Sequence, residues 1–372
     1  MISVALHVDQ LFSPAPGGIG TYIREVGGRL AGHRDVRLLP FHAAHGVSLD
    51  EPRLGGLPVT RLSRTPRLLY PLWDLTGRPP LPGDLQAADI LHAPLPAAIP
   101  PAGPGQKLVV TVHDLAFRPY PRLFPARWLV LYRLGTRRAA RRADAIIVPS
   151  ESTKRDLVRH ERVDPGRVHV VPLAASLPRS QTDFDERLHR LKVKRPYILF
   201  VGTLEPRKNL VRLVQAYRHA VARGRFEHTL VLAGPLGWRS EPLLREIRFP
   251  GPGQVILTGR ATPAELDGLY RGADLFVYPS LYEGFGLPVL EAMARGVPTI
   301  ASTASSLPEV VGEAAFGVEP RSVPGLASAI ERLLTDTAEA ERLAKAGLAR
   351  ADEFSWDRTA DETLAVYRRV LG

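Results

Sequence analysis

Tyr282-Glu283-Gly284-Phe285-Gly286-Leu287-Pro288-Val289-Leu290-Glu291-Ala292-Met293-Ala294-Arg295-Gly296-Val297-Pro298 is the stretch on which the reading of the chain turns. Its two carboxylates, Glu283 and Glu291, are separated by seven residues. Pro288 suits a first helical turn, where its missing N–H costs nothing. Gly296 and Pro298 mark a helix end. A helix over 288–295 therefore carries Glu291 about one turn in and leaves Glu283 on the loop before it. The amides of Gly284, Phe285, Gly286 and Leu287 are then open at a helix start, an arrangement that attracts a phosphate or a sugar oxygen. Gly284 and Gly286 let a ligand come close to the main chain. A capped helix with ordinary surface carboxylates fits the same spacing.

Outward from this stretch, Leu275–Pro279 reads as a strand leading into it. It belongs to a strand–helix series with strands at Tyr197–Gly202, Thr229–Gly234, Gln254–Thr258 and Thr299–Ser302, and helices near 208–222, 263–271 and 324–334. The first half has a similar series, with strands at Ile2–Val8, Val36–Phe41, Leu108–His113, Ala145–Pro149 and Val168–Pro172. Short apolar runs alternating with helical patterns predict parallel sheets wrapped by helices. The expected class is α/β, with two doubly wound, Rossmann-like domains. Residues 42–107, rich in Pro, Gly and Arg, predict only one or two short strands and loops. A polar segment over 172–195 reads as the linker, and helical patterns over 338–354 and 356–371, with Ser355 as a cap between them, close the chain.

The length of 372 residues suits two domains rather than one core. The chain has no cysteine, which excludes a disulfide scaffold, a thiol nucleophile and thiolate metal sites. Ile2–Val8 reads as a strand rather than a signal peptide, because no basic segment precedes it. The longest run without charged side chains, 90–106, holds five prolines and cannot be a membrane-spanning helix. A cytoplasmic protein is expected. The net charge of +11 is uneven: residues 1–180 hold 24 Lys and Arg against 14 Asp and Glu, and the remainder is nearly neutral. A basic half suggests an anionic membrane or polyanion, or simply a solvated arginine-rich surface. Its excess gathers on the helix expected at 126–143, where Arg133, Arg137, Arg138, Arg141 and Arg142 share one face. With Trp128, Leu129, Leu131 and Tyr132 at its amino end, that face suits anionic lipid or an acceptor held at a membrane.

Three further positions carry chemistry. Ser13-Pro14-Ala15-Pro16-Gly17-Gly18-Ile19-Gly20 is a glycine-rich turn between the first strand and a helix from about Thr21. Sheets of this kind bind ligands there, although the spacing is not that of a dinucleotide fingerprint. Val109-Val110-Thr111-Val112-His113-Asp114 puts a histidine at a strand's carboxyl end, able to donate a hydrogen bond to a sugar hydroxyl or a phosphate oxygen. Val201-Gly202-Thr203-Leu204-Glu205-Pro206-Arg207-Lys208-Asn209-Leu210 places two cations at a helix start, a clamp for a diphosphate. Ser150, ahead of Glu151, reads as a helix cap.

Taken together, the Glu283–Glu291 stretch, the strand before it and the Gly-Thr-Leu-Glu-Pro-Arg-Lys-Asn segment resemble the family 4 retaining glycosyltransferases. The likeness is specific over 197–311, and strongest to bacterial mannosyl- or rhamnosyltransferases that build surface polysaccharides. It implies the GT-B architecture of two domains facing across a cleft. The implied division is 1–180 on the acceptor side, 181–355 for the nucleotide-sugar donor, and a helix over 356–372 crossing back to the first domain. It implies catalytic roles for His113, Arg207, Lys208 and Glu283, and donor contacts at Gly18, Gly202, Gly284, Phe285, Gly286, Leu287 and Glu291. The expected donor is a nucleotide-diphosphate sugar and the acceptor a glycan or lipid-linked glycan. No metal, cofactor or nucleic acid is expected. In many members an arginine follows the glycine directly; here Thr203 stands there and Arg207 is the candidate replacement. An epimerase or sugar phosphorylase of similar domains, or a non-enzymatic basic binding protein, remains the alternative at this point.

Overall fold

Long apolar runs without alternation are what parallel strands need when helices cover both faces. In the computed structural model, which describes residues 1–13, 16–45, 54–176, 184–224 and 226–372, such runs form two separate all-parallel sheets. The first contains β1 (Ile2–His7), β2 (Val36–His42), β3 (Thr60–Arg61), β4 (Ile90–Ala93), β5 (Lys107–Thr111), β6 (Ala145–Val148) and β7 (Val168–Val170), in the order β3-β2-β1-β4-β5-β6-β7. The second contains β8 (Tyr197–Val201), β9 (Thr229–Ala233), β10 (Val255–Gly259), β11 (Leu275–Tyr278), β12 (Thr299–Ser302) and β13 (Phe316–Val318), in the order β10-β9-β8-β11-β12-β13. In each, the order reverses once: at β1/β4 and at β8/β11. Ligands of doubly wound sheets bind outside the carboxyl ends of the strands at such a switch point.

Helices α1 (Gly17–Ala31), α2 (Pro66–Thr76), α3 (Gly83–Ala87), α4 (Ala126–Arg142) and α5 (Glu151–Glu161) accompany the first sheet. Those of the second are α6 (Phe184–Arg190), α7 (Leu210–Val221), α8 (Glu241–Arg248), α9 (Pro263–Gly272), α10 (Leu287–Met293), α11 (Leu307–Val311), α12 (Val323–Thr335) and α13 (Thr337–Asp352). The last, α14 (Trp356–Leu371), belongs with the first sheet: one compact unit comprises Met1–Pro121, Ala126–Leu173 and Ser355–Gly372, the other Arg122–Pro125 and Ala174–Phe354. Ser150 and Ser355 cap α5 and α14, accepting from the amides of Thr153 and Arg358.

Several boundaries differ from the sequence reading. The glycine run at 17–20 is not a loop but the first turn of α1; Pro14 and Ala15 of the quoted turn lie outside the described residues. Among its described residues, the stretch 42–107 holds two helices besides two strands, because Leu69, Trp73 and Leu85 give it buried anchors that prolines and arginines mask in sequence. Of the expected linker, 177–183 lies outside the described residues and 184–190 is helical. β5 stops at Thr111, so His113 sits two residues beyond it.

Candidate functional site

The loops leaving β8 and β11, the two strands flanking the second switch point, build one cluster. β8 is followed by Gly202, whose φ of 151° and close neighbours suit glycine; a Cβ at Gly234, just after β9, would come within 2.0 Å of the Gly202 carbonyl oxygen. Strand ends packed this tightly fix the path of 202–209. That path closes in a 3-10 turn, Pro206–Lys208, and α7 starts only at Leu210, so Arg207 and Lys208 stand on the turn before the helix rather than on its first turn. Asn209, left-handed at φ 63°, ends the turn, and its side-chain Nδ2 donates to the carbonyl of Pro279 at 3.0 Å. Leu281 N–H donates to the Arg207 carbonyl at 2.9 Å. The two loops are thus stitched together by one side-chain and one main-chain bond.

Glu283 lies at the centre. Lys208 Nζ donates to its Oε1 at 2.6 Å and to the Tyr278 hydroxyl at 2.7 Å. Arg207 Nη1 donates to Glu283 Oε2 and to the Tyr282 carbonyl, each at 2.8 Å, while its Nε and Nη2 reach Glu205 Oε1 at 3.0 and 2.7 Å. Ser305 Oγ accepts from the Glu283 amide at 2.7 Å, and Ser306 Oγ donates to the Glu283 carbonyl at 3.0 Å. Lys208, Glu205 and Glu283 are all buried. Burial alone would raise the Glu283 pKa, but the charges of Arg207 and Lys208 outweigh it and hold the carboxyl at about 2. Burial, reinforced by the Arg207 charge, lowers Lys208, and burial raises Glu205. The arrangement is two cations interleaved with two carboxylates, the pairing that makes buried charge tolerable. Of the three protons on the Lys208 ammonium, two are used by Tyr278 and Glu283, and the third has no hydrogen-bond acceptor among the described residues.

After Glu283 the chain turns at Gly286, with φ 124°, where an added Cβ would meet Leu307 Cδ2 at 2.7 Å. α10 follows from Leu287, and no hydrogen bond from the amides of Phe285, Gly286 or Leu287 is seen among the described residues. Glu291, the fifth residue of α10, accepts from the Tyr270 hydroxyl at 2.9 Å. Burial pushes its pKa up to about 7 against the opposing effects of Tyr270 and Arg295.

The other sequence-derived positions lie in the first unit. Gly18 is exposed on the first turn of α1. Further along that helix, the Tyr22 ring meets His113 edge-on at 5.0 Å. His113 Nε2 is 3.1 Å from the Pro94 carbonyl. Burial pulls its pKa down to about 4, despite Asp114 and that carbonyl. The imidazole is therefore neutral near pH 7, its Nε2–H faces Pro94, and Nδ1 offers a lone pair. This reverses the expectation of a donor: toward a sugar, the group left over is an acceptor. On α4, Arg133, Arg137, Arg141 and Arg142 are exposed, whereas Arg138 pairs with Asp74 of α2 and leaves the basic face.

Sequence reasoning gave no role to Glu205, Tyr278, Ser305, Ser306 or Tyr270. Glu205 stood inside the quoted basic segment, where a carboxylate two residues from an arginine was the available signal. The others join the cluster across about 20–70 residues of chain, which no local pattern reveals.

Comparison with known proteins places these features. Residues 181–350 match the family model described as glycosyl transferases group 1, and 16–177 match glycosyltransferase family 4. The O-antigen chain mannosyltransferase B of Escherichia coli is 32% identical over 378 residues, covering 94% of this chain and 96% of its own. Among solved structures, sucrose-phosphate synthase from Thermosynechococcus elongatus superposes with a TM-score of 0.77 at 22% identity, covering 100% of this chain and 99% of that one. Anabaena HepE, solved with UDP and glucose, gives 0.75 at 19% identity, covering 99% and 100%.

Proposed function

The chain belongs to the family 4 glycosyltransferases and has the GT-B fold, and from that premise we propose that it moves a hexose, mannose before rhamnose, from a nucleotide-diphosphate sugar to a glycan or lipid-linked acceptor with retention of configuration. The observation that carries this reading is the buried Lys208–Glu283 pair beside the Gly286–Leu287 turn, at the switch point of the second sheet.

In this reading the anomeric C–O bond to the diphosphate breaks, the acceptor oxygen bonds to the same carbon on the same face, and the departing phosphate takes the acceptor proton. Charge grows on the leaving oxygen, and donors fixed in advance around it supply the largest stabilisation. The spare proton of Lys208 and the amides of Phe285, Gly286 and Leu287 are those donors. Arg207 spends its guanidinium on Glu205, Tyr282 and Glu283, so it acts by holding Glu283, whose carboxylate accepts sugar hydroxyls. Glu291 accepts from the ribose. Because cationic side chains and amides meet the diphosphate, no metal is assigned to this step.

Glycosyl transfer and donor hydrolysis by Lys208→Ala and Glu283→Ala test the assignment. Each variant is expected to lose about 10²- to 10³-fold in kcat, the scale of removing one preorganised donor. Undiminished turnover in both would end the proposal. Thermal shift with GDP, UDP and dTDP names the base: the matching nucleotide raises stability by about 2.7 kcal/mol at a hundredfold excess over its dissociation constant. With chelator present the shift is expected to be unchanged. A shift with none of the three nucleotides contradicts the reading.

A further inference from the structure

The first unit contains a second cluster of titratable side chains, unconnected with the donor chemistry. It forms where β1 and β2 end. Asp9 opens the turn after β1, His42 is the last residue of β2, and His45 follows three residues on. One ligand-capable atom from each of the three lies within 4.8 Å of the others. The Asp9 carboxylate is fixed from several sides: Oδ1 accepts from the Ala43 amide at 2.7 Å and Oδ2 from the Tyr70 hydroxyl. His42 Nδ1 is 2.6 Å from the Ala43 carbonyl, so that nitrogen carries the proton and Nε2 keeps its lone pair. Metal-bound histidines are oriented in this way, by giving the other ring N–H to a carbonyl or carboxylate. The Phe12 ring stacks on both His42 and His45, with centroids at 4.0 and 4.9 Å, and limits how their rings can turn.

Two nitrogens at this place lack a hydrogen-bond partner among the described residues. His45 Nε2 stands 3.4 Å from Asp9 Oδ2, and His7 Nε2, on a side chain 3% exposed, stands 3.2 Å from Asp9 Oδ1; both atoms are buried and neither meets a partner in bonding geometry. A buried polar atom without a partner is costly. A cation shared between the His45 nitrogen and the carboxylate satisfies both, and His7 braces the carboxylate from its other oxygen.

We propose that Asp9, His42 and His45 bind a single divalent transition-metal ion of the zinc class. Two imidazoles and one carboxylate suit zinc, cobalt or nickel, whereas magnesium and calcium require a shell of oxygens. Tetrahedral bonds of about 2.1 Å set ligand atoms about 3.4 Å apart, so a modest closing of the three side chains completes the site. Three protein ligands leave one position for water or for a ligand oxygen, as in open rather than purely structural sites.

The test uses tag-free full-length protein stripped with chelator and titrated with Co²⁺, followed by visible absorption, with metal content measured after gel filtration. Wild-type protein is expected to take up one equivalent with a saturating visible band, to lose it to Zn²⁺, and to keep it in millimolar Mg²⁺. His42→Gln and His45→Ala should each weaken binding at least tenfold, while His169→Ala, on β7 and outside the cluster, should not. His45 is partly exposed, so its variant tests the idea even where the buried His42 variant fails to fold. Absence of saturable binding, or equal binding by wild type and His45→Ala, overturns the proposal. The nucleotide-induced thermal shift of the same samples reports on the second unit and should be the same in every variant.

Discussion

Glu291 shows how much one side chain's surroundings decide. Its ordinary pKa of 4.5 rises to about 7 because a carboxylate partly enclosed by α10 and Tyr270 is poorly solvated when charged. The raised value makes the folded state the better proton binder. Its contribution to stability is therefore complete below pH 4.5 and disappears as the pH climbs through 7. Ribose binding runs the opposite way, since accepting from both hydroxyls needs the ionised form. Affinity for the nucleoside diphosphate is expected to fall about tenfold per pH unit below pH 7. In Glu291→Gln it should be weak and flat over the same range, which calorimetric titrations between pH 5.5 and 8 would resolve. A wild-type affinity constant across that range would remove Glu291 from the ribose. Glu283 differs although it lies on the same segment. Its two cations hold it charged down to about pH 2, so it adds stability above its ordinary pKa of 4.5 and loses it only as the pH falls toward 2. The spacing of the two glutamates was plain in the sequence. Their opposite ionisation was not, because it depends on Arg207, Lys208, Tyr270 and Arg295, brought in from elsewhere in the chain.

At the level of elements, local signals located most strands and helix caps, and failed where tertiary contacts decide. Ser355 and the apolar pattern after it give α14 its bounds, and Thr299–Ser302 was legible as β12. By contrast, β4 and β13 are short strands inside stretches dominated by proline, glycine or loop residues. On α4 the spacing of arginines was right, but one of the five is diverted because α2 offers Asp74 to Arg138. The remaining four are joined on the exposed surface of α4 by Trp128, Val130 and Leu134. Basic and apolar groups mixed on one exposed helix suit an anionic bilayer, each cation adding about 1 kcal/mol near the surface. No helix among the described residues is long and apolar enough to cross a membrane, so contact through α4 would be peripheral. Sedimentation with vesicles containing anionic lipid is expected to carry down wild-type protein at low salt. Changing Arg133, Arg137, Arg141 and Arg142 to Glu together should abolish it, and neutral vesicles should bind neither. Unchanged sedimentation of the fourfold variant would refute the membrane role.

On the scale of the whole molecule, the division into units does not follow chain order. The last helix of the chain packs on the first sheet, burying Trp356, Ala360, Leu364, Val366 and Tyr367. Polar contacts fix it as well: Thr359 Oγ1 donates to the Pro172 carbonyl at 2.7 Å, Arg29 pairs with Asp357, and Arg368 pairs with Asp35. The deepest of these contacts is at His92, on the central strand β4. Its Nδ1 is 2.7 Å from the Tyr367 hydroxyl and its Nε2 2.8 Å from Thr111 Oγ1, and burial lowers its pKa to about 3, so the ring stays neutral and uses one nitrogen to donate and the other to accept. Composition and periodicity revealed two α/β series and an amphipathic final helix. They could not reveal that residues 275 apart share a hydrogen bond, because the pairing depends on the register of β4 and not on anything near Tyr367. The bond sets a prediction for the molecule as a whole. Tyr367→Phe removes only the hydroxyl and strands a buried imidazole nitrogen, at a cost of about 1–3 kcal/mol. The loss belongs to the first unit, so the variant should unfold at lower urea concentration while its calorimetric affinity for the nucleoside diphosphate, held by the second unit, stays at the wild-type value. If affinity fell together with stability, α14 would have to serve the donor-binding unit as well, and the partition of roles between the two sheets would need to be redrawn.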